Sequence, residues 1–363
     1  MTRRMDSGAS AEGPRGIIQI EVSSACDLRC PTCPHTAFSG HWRSAHFPLP
    51  ALDGLLPHAA RAELTYLQGW GEPLLHPELP RIIARLTKAG AKCALTSNGT
   101  QLTPELGREL LAAGLAAITV SVSGAREETH AKLRPPSSLE DILGKLARFR
   151  ELARACPKPP RIGLSFLQQP ENVAELPDFV VLARRHGLEE CIAVNATFLP
   201  TDEHARQVLV PGKAADRASR KALFASILRR QSFQQVGYRR EEQAECLNLP
   251  TRNVSIGVDG DVSPCIFLRL PLRSMPPGFD RALLCFGNIL EEDLSTIWAK
   301  PDYRAFRRAF ERRRTFSDHC LDGVERGFGA LEALRKADER ARAFFAEQPA
   351  PAACRGCLKL QGL

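Results

Sequence analysis

The run Ile17-Ile-Gln-Ile-Glu-Val22, followed after Ser23 by Ser24-Ala-Cys26-Asp-Leu-Arg-Cys30-Pro-Thr-Cys33-Pro-His35, carries an apolar strand pattern straight into three cysteines. Three thiolates within eight residues cannot all pair with one another, so the natural reading is a bound metal. Three protein ligands leave one coordination position open. On an iron–sulfur cube, the open iron is a place where a substrate or cofactor binds directly.

Working outward, short β-branched runs alternate with amphipathic helical runs from Gly16 to about Pro200. Strands are expected at 17–22, 64–68, 93–96, 117–122, 162–167 and 191–197. Helical patterns over 79–90 and 104–114 both end in glycine, and Thr103-Pro104 supplies an N-cap followed by proline at the first helical position. Units of roughly 30 residues predict parallel strands joined by right-handed crossovers. A closed eight-stranded barrel needs about 250 residues, so six units predict an α/β fold built as a partial, open (β/α)6 TIM-like barrel. A doubly wound sheet is the rival. In both, ligand groups gather at the C-terminal ends of the strands.

The 363 residues suit about two domains. With 44% apolar and 25% charged residues, composition is that of a soluble protein, and no apolar run approaches the ~20 residues that span a bilayer. The first fifteen residues contain no apolar signal core, so a cytoplasmic location is expected. In a reducing compartment, twelve cysteines point to metal or redox chemistry rather than disulfides. Cys93, Cys156 and Cys191 stand alone in apolar or helical surroundings and read as small core residues. The net charge of +8 is concentrated in 300–314, which holds seven basic residues. There Tyr303, Phe306 and Phe310 recur at helical spacing as a buried stripe, which leaves the arginines as a solvated face. Aromatic residues make up only 6%, without a stacking platform, so nucleic acid is not an expected partner.

The strand ends carry the chemistry. The second ends in Gln68-Gly-Trp-Gly-Glu72-Pro73, where glycines permit close backbone approach and Glu72 sets a carboxylate beside the cysteine loop. The third ends in Thr96-Ser-Asn98-Gly-Thr100. The fourth ends in Ser121-Val-Ser-Gly124, with Arg134 placed to pair with a carboxylate. Gln168 and Asn195, at later strand ends, are expected to line the substrate pocket.

This set resembles the radical S-adenosylmethionine (SAM) enzymes. The resemblance rests on the C-x3-C-x2-C spacing of Cys26, Cys30 and Cys33, on Gly69-Trp-Gly-Glu72, and on the turns Ser97-Asn-Gly99 and Ser121-Val-Ser-Gly124. It covers residues 16–200. It implies a [4Fe–4S] cluster with SAM chelated to the open iron, Gly71 and Glu72 at the methionyl amine, and Asn98, Ser121 and Arg134 at the ribose or carboxylate. Reductive cleavage of SAM would give a 5′-deoxyadenosyl radical that takes a substrate hydrogen. Two departures stand out: Thr32 replaces the aromatic residue frequent before the third cysteine, and Ser123 stands where many relatives carry an acid.

From Cys246 the chain is loop-rich. Cys246 is followed by 13 residues, Gly260, four residues and Cys265; with Phe286-Gly-Asn-Ile289 and Ser295-Thr-Ile-Trp298 this resembles the SPASM domain or its shorter form, Twitch. The resemblance implies an auxiliary [4Fe–4S] cluster on Cys246, Cys265, Cys354 and Cys357, coordinatively closed and suited to electron transfer. Cys320 is an alternative ligand, Cys285 reads as a strand residue, and a second auxiliary cluster is not expected. A hairpin is expected over 253–262, turning at Asp259-Gly260.

The expected organisation is a disordered N-terminus (1–15), a radical SAM partial barrel (16–200), a helical bridge (201–235) and a small cysteine-rich SPASM/Twitch-like domain (236–363). Its expected partners are a small-molecule or peptide substrate and an external one-electron donor such as flavodoxin or ferredoxin. About 15 residues precede the first strand, so the leader-peptide-binding module that such maturases often carry is expected from a separate partner where one is needed. Cys93 and Cys191, on predicted strands, are minor candidates for returning a hydrogen to a substrate radical. Two rivals stand beside the enzyme reading. One is a non-catalytic iron–sulfur carrier or scaffold. The other is a zinc protein binding nucleic acid through Cys26, Cys30, Cys33 and His35.

Overall fold

The computed structural model describes residues 13–198, 201–238, 240–279, 281–322 and 330–363; of the expected N-terminal tail, residues 1–12 lie outside this set. The alternating pattern becomes β1 (Ile17–Ile20), β2 (Leu64–Leu67), β3 (Cys93–Ser97), β4 (Ala117–Val122), β5 (Arg161–Gln168) and β6 (Glu190–Asn195), each paired in parallel with the next. A doubly wound sheet reverses its strand order at a switch point. From β1 to β6 the order runs without reversal, so the crossover helices pack on one another along one face and the sheet curls as an open barrel.

Local chemistry sets the helices as expected. Thr103 Oγ1 accepts from the Leu106 amide to cap the helix Pro104–Ala112, and Gly114 ends it at φ +85°. Along β1, β2 and β4 every second side chain is buried against these helices, among them Ile18, Ile20, Leu67, Ile118 and Val120. The other face is polar and half-buried. Gln19 is in register with Tyr66, Thr96 with Thr119, and Ser121 with Ser165, while the Tyr66 and Thr96 hydroxyls lie 2.5 Å apart. A closed TIM barrel fills this interior with branched apolar side chains. Here the lumen is wettable.

The alternation does not stop at Pro200. The helix Lys213–Arg229 leads into β7 (Ser232–Gln235), which pairs in parallel with β6, so the expected bridge ends as a seventh parallel strand. Its pattern of exposed and half-buried residues around Phe233 is that of an edge strand, which leaves only a faint apolar signal. Gln168 and Asn195 are spent on this edge rather than in the pocket. Gln168 Nε2 donates to Asn195 Oδ1 at 2.7 Å and to the Val236 carbonyl at 3.0 Å, and Asn195 Nδ2 donates to the Gly237 carbonyl at 2.6 Å.

The predicted hairpin forms from β8 (Val254–Ile256) and β9 (Asp261–Ser263), with Gly260 at φ +86° in the turn, and β10 (Gly287–Asn288) adds to β9. β8 also pairs in parallel with β1, so one sheet runs through the boundary drawn at 235/236. The helix Pro301–Asp322 buries Tyr303, Phe306 and Phe310 as expected, but it also buries Arg307 and Arg313. Arg307 lies 3.8 Å from the Trp298 ring centroid and donates to the Trp298 carbonyl. Arg313 donates to the carbonyls of Ala244, Gln243 and Gln348 and pairs with Glu242. These two arginines therefore belong to the interior, where a guanidinium can satisfy several carbonyls at once. No helix among the described residues is long and apolar enough to cross a membrane.

Candidate functional site

Cys26, Cys30 and Cys33 lie on the loop after β1 as free thiols close enough for their charges to interact. Burial pushes the Cys26 and Cys33 thiols up to about 12. Holding them as thiolates at neutral pH therefore calls for a bound cation. No three described Cys, His, Asp or Glu side chains converge tightly enough to hold a single metal ion. A polynuclear cluster holds its thiolates farther apart than one ion does, so the trio fits an iron–sulfur cube better than zinc. His35, the fourth ligand of the zinc reading, instead packs edge-on against Trp42, with ring centroids 5.2 Å apart.

The turn after β2 is locked to this loop. The Glu72 amide donates to the Ala25 carbonyl at 2.8 Å, and a Cβ on Gly71 would lie within 2.6 Å of that same oxygen. A Cβ on Gly69 would likewise strike Glu21 Cβ at 2.6 Å. The two glycines thus admit the segment that follows β1, Glu21 to Ala25, rather than open space. Glu72 is buried, which pushes its carboxyl up to about 7 against the pull of hydrogen bonds from the Asn98 amide, the Leu74 amide and the Ser97 hydroxyl.

Asp27, between the first two cysteines, is the neighbour that motif reading passed over. Burial raises its carboxyl, but hydrogen bonds from Thr100 (2.6 Å), Gln101 (2.9 Å) and Asn98 (2.7 Å) outweigh it and leave the group below its ordinary value. The carboxylate thereby ties the cysteine loop to the turn after β3. An acid between two such cysteines, with a run of polar side chains after β3, was the available signal. The Asn98 amide is consumed in this tie, since its Oδ1 also accepts from Thr100.

On the far side, Arg134 donates to the Ser121 carbonyl and lies where its charge acts on Cys33, and the Arg29 amide donates to the Pro135 carbonyl at 2.8 Å. Of the five residues marked for SAM, Gly71, Glu72 and Asn98 contact the cysteine loop, Arg134 acts electrostatically on Cys33, and Ser121 is joined to it only through Arg134. Ser123 is buried, with its amide facing His130 Nδ1 and its carbonyl accepting from Asn172.

The second cysteine group also assembles. Cys246, Cys265, Cys354 and Cys357 lie within mutual electrostatic reach, with burial pushing Cys246 up to about 12 and Cys265 to about 11. Within electrostatic reach of Cys265, the fully buried Tyr303 hydroxyl finds no partner among the described residues. An orphaned donor of that kind suits cluster sulfur as its acceptor. Cys320 is buried in its helix, and Cys285 is exposed two residues before β10 rather than in a strand as expected. Cys93 and Cys191 are buried in the apolar core, as plain core residues would be.

Residues 20–159 match the family model of the radical SAM superfamily, and residues 246–322 match that of an iron–sulfur cluster-binding domain, SPASM. Cys354 and Cys357 lie beyond the second match. The chain is similar to the tungsten-containing aldehyde ferredoxin oxidoreductase cofactor-modifying protein of Pyrococcus furiosus, at 25% identity over 84% of this chain and 86% of that protein. It is also 25% identical to the mycofactocin maturase MftC of Mycobacterium tuberculosis, over 46% of this chain and 41% of that one. Its fold resembles Streptococcus suis SuiB, solved bound to its precursor peptide SuiA, with a TM-score of 0.62 at 15% identity over 82% of this chain and 67% of that chain.

Proposed function

The chain belongs to the radical SAM superfamily and carries a SPASM-type iron–sulfur domain, and from that premise we propose that it is a maturase that takes a hydrogen from a peptide substrate. When bound, a [4Fe–4S] cluster with SAM would supply one-electron radical chemistry, and an auxiliary [4Fe–4S] cluster would supply a one-electron partner.

In this reading Cys26, Cys30 and Cys33 would hold the first cluster. The backbone at Gly71 and the Glu72 carboxylate receive the methionyl amine. Arg134, anchored on the Ser121 carbonyl, offers its remaining donors to the carboxylate. Asn98, committed to Asp27, orients the turn rather than the ligand. The polar lumen of Gln19, Tyr66, Thr96 and Thr119 can hydrogen-bond a substrate backbone and hold the donor carbon still. Cys246, Cys265, Cys354 and Cys357 hold the closed auxiliary cluster.

The observation that carries the reading is the coincidence of the cysteine trio, Glu72 and Arg134 at one end of an open, polar barrel. The peptide is favoured by the kinship to a maturase. The second reading, a cofactor precursor, is favoured by the similarity to a cofactor-modifying protein along most of the chain. The test is anaerobic: dithionite-reduced, iron-loaded protein with SAM is expected to form 5′-deoxyadenosine, and a deuterated peptide to pass its label into it. Full iron loading without 5′-deoxyadenosine would overturn the proposal.

A further inference from the structure

On the helix Pro301–Asp322, Arg304, Arg308 and Arg312 recur every fourth residue on one face. Arg308 and Arg312 are exposed, and none of the three forms an ion pair among the described residues. By contrast, Arg335, Lys336 and Arg342 on the neighbouring helix Ala330–Glu347 pair with Glu332, Glu339 or Asp338. A row of like charges at this spacing weakens its own helix, so an uncompensated row is a cost to the fold that an anionic partner would offset.

The row opens onto a groove of about 550 Å³, lined by Arg308, Arg312, Thr315 and His319 over the stacked rings of Phe316 and Phe344, 3.9 Å apart. Among the described residues Glu311 is the single acidic group in that lining. The helix's inner face turns toward the auxiliary cysteines: Tyr303 lies within electrostatic reach of Cys265, and Arg314 donates to Glu245, the residue before Cys246, at 3.1 Å. The arginine row and the four-cysteine site thus lie toward opposite faces of the same helix.

We propose that this face docks an acidic one-electron carrier protein that exchanges an electron with the auxiliary site; this rests on the reading that Cys246, Cys265, Cys354 and Cys357 hold a cluster. In the forward step the reduced carrier is oxidised by one electron and the auxiliary centre is reduced by one, with no bond or proton moved. Complementary charge steers encounter and falls off with salt.

The experiment titrates the full, iron-loaded chain with an oxidised [2Fe–2S] ferredoxin of strongly negative net charge, by calorimetry at low and high salt. Arg308→Glu with Arg312→Glu is expected to weaken binding at least tenfold at low salt. Wild-type affinity should fall toward that of the variant as salt rises. Iron content and dithionite-driven 5′-deoxyadenosine formation should be unchanged, which separates failure of docking from failure of the maturase reading. Unchanged ferredoxin binding by the double variant, or binding insensitive to salt, would overturn the proposal. So would a face that binds an acidic peptide or RNA but not the ferredoxin.

Discussion

The indole nitrogen of Trp70 donates to the Arg269 carbonyl at 3.0 Å, and it also reaches the Ile266 carbonyl at 3.2 Å. Trp70 sits between Gly69 and Gly71 in the turn after β2, while Ile266 directly follows Cys265. One side chain therefore bridges the turn that abuts the first cysteine group and the loop that carries a member of the second. The link is doubled beneath it: the Trp70 amide donates to Glu21 at 2.8 Å, and Glu21 faces the buried Arg269 guanidinium at 3.4 Å.

Trp70→Phe keeps the ring among Phe198 and Phe267 but removes both indole hydrogen bonds. The expected cost is about 1–3 kcal/mol, measured by denaturant unfolding. Because the joint between the two sites loosens, product formed per 5′-deoxyadenosine should fall. An unchanged ratio would count against coupling through this residue.

Gly71→Ala drives a methyl group into backbone at Ser24 and Ala25, which cannot rotate away. The cysteine loop must shift, so stability should drop by about 3 kcal/mol and iron retention at the first site should fall. Gly144→Ala is the matched control. Nothing lies within 4 Å of its added Cβ, in the interior of the helix Leu139–Ala153, so a gain of about 1 kcal/mol is expected. Thermal unfolding and iron analysis of both variants check the pair.

What could be read in advance was what lies close together in sequence. The cysteine trio, the Gly69–Glu72 turn and the capped helix after Thr103 are each spelled by a few adjacent residues, and their strands follow a period of two. The tie from Asp27 to Thr100, the seventh strand and the Trp70–Arg269 bridge join residues far apart, and such pairings leave no periodic trace. The arginine helix is intermediate. Positions 303, 306, 307, 310 and 313 form one helical stripe, so the burial of Arg307 and Arg313 was written in the spacing. Their charge argued the other way, until the carbonyls they satisfy came into view.

Individual serine substitutions of Cys246, Cys265, Cys354 and Cys357 should each lower iron and acid-labile sulfide by about four atoms per chain. Cys320→Ser should lower neither. Iron loss in the Cys320 variant with retention in the Cys354 variant would reassign the ligand set. Dithionite-driven SAM cleavage should survive in all five, since the first cysteine group is untouched.

His130 predicts an acid-side weakness. Burial, helped by the Arg134 charge, lowers its imidazole from 6.5 to about 4, and its ring is held neutral with Nδ1 facing the Ser123 amide and Nε2 facing Ser137. Since the unfolded chain takes up the proton first, this contribution is intact above pH 6.5 and lost as pH falls toward 4. The loss amounts to about 3 kcal/mol at most. Unfolding free energy measured across that window should fall with acid in the wild type and less steeply in His130→Gln.

Arg313 gives the strongest prediction for the second domain. Its guanidinium is fully buried, stacks at 4.1 Å on the Phe345 ring centroid and holds the carbonyls of Gln243 and Ala244 from one segment and Gln348 from another. Arg313→Ala leaves those acceptors unpaired and opens a cavity, at a cost of about 3–5 kcal/mol. Arg313→Lys restores charge but not the planar fork, so it should rescue only part of the loss. Cys246 lies two residues beyond Ala244, so the damage should be local. Under a chelator, iron should leave the auxiliary site of the Ala variant well before the Cys26–Cys33 site. Simultaneous loss from both would mean that Arg313 supports the whole fold rather than the segment that presents Cys246.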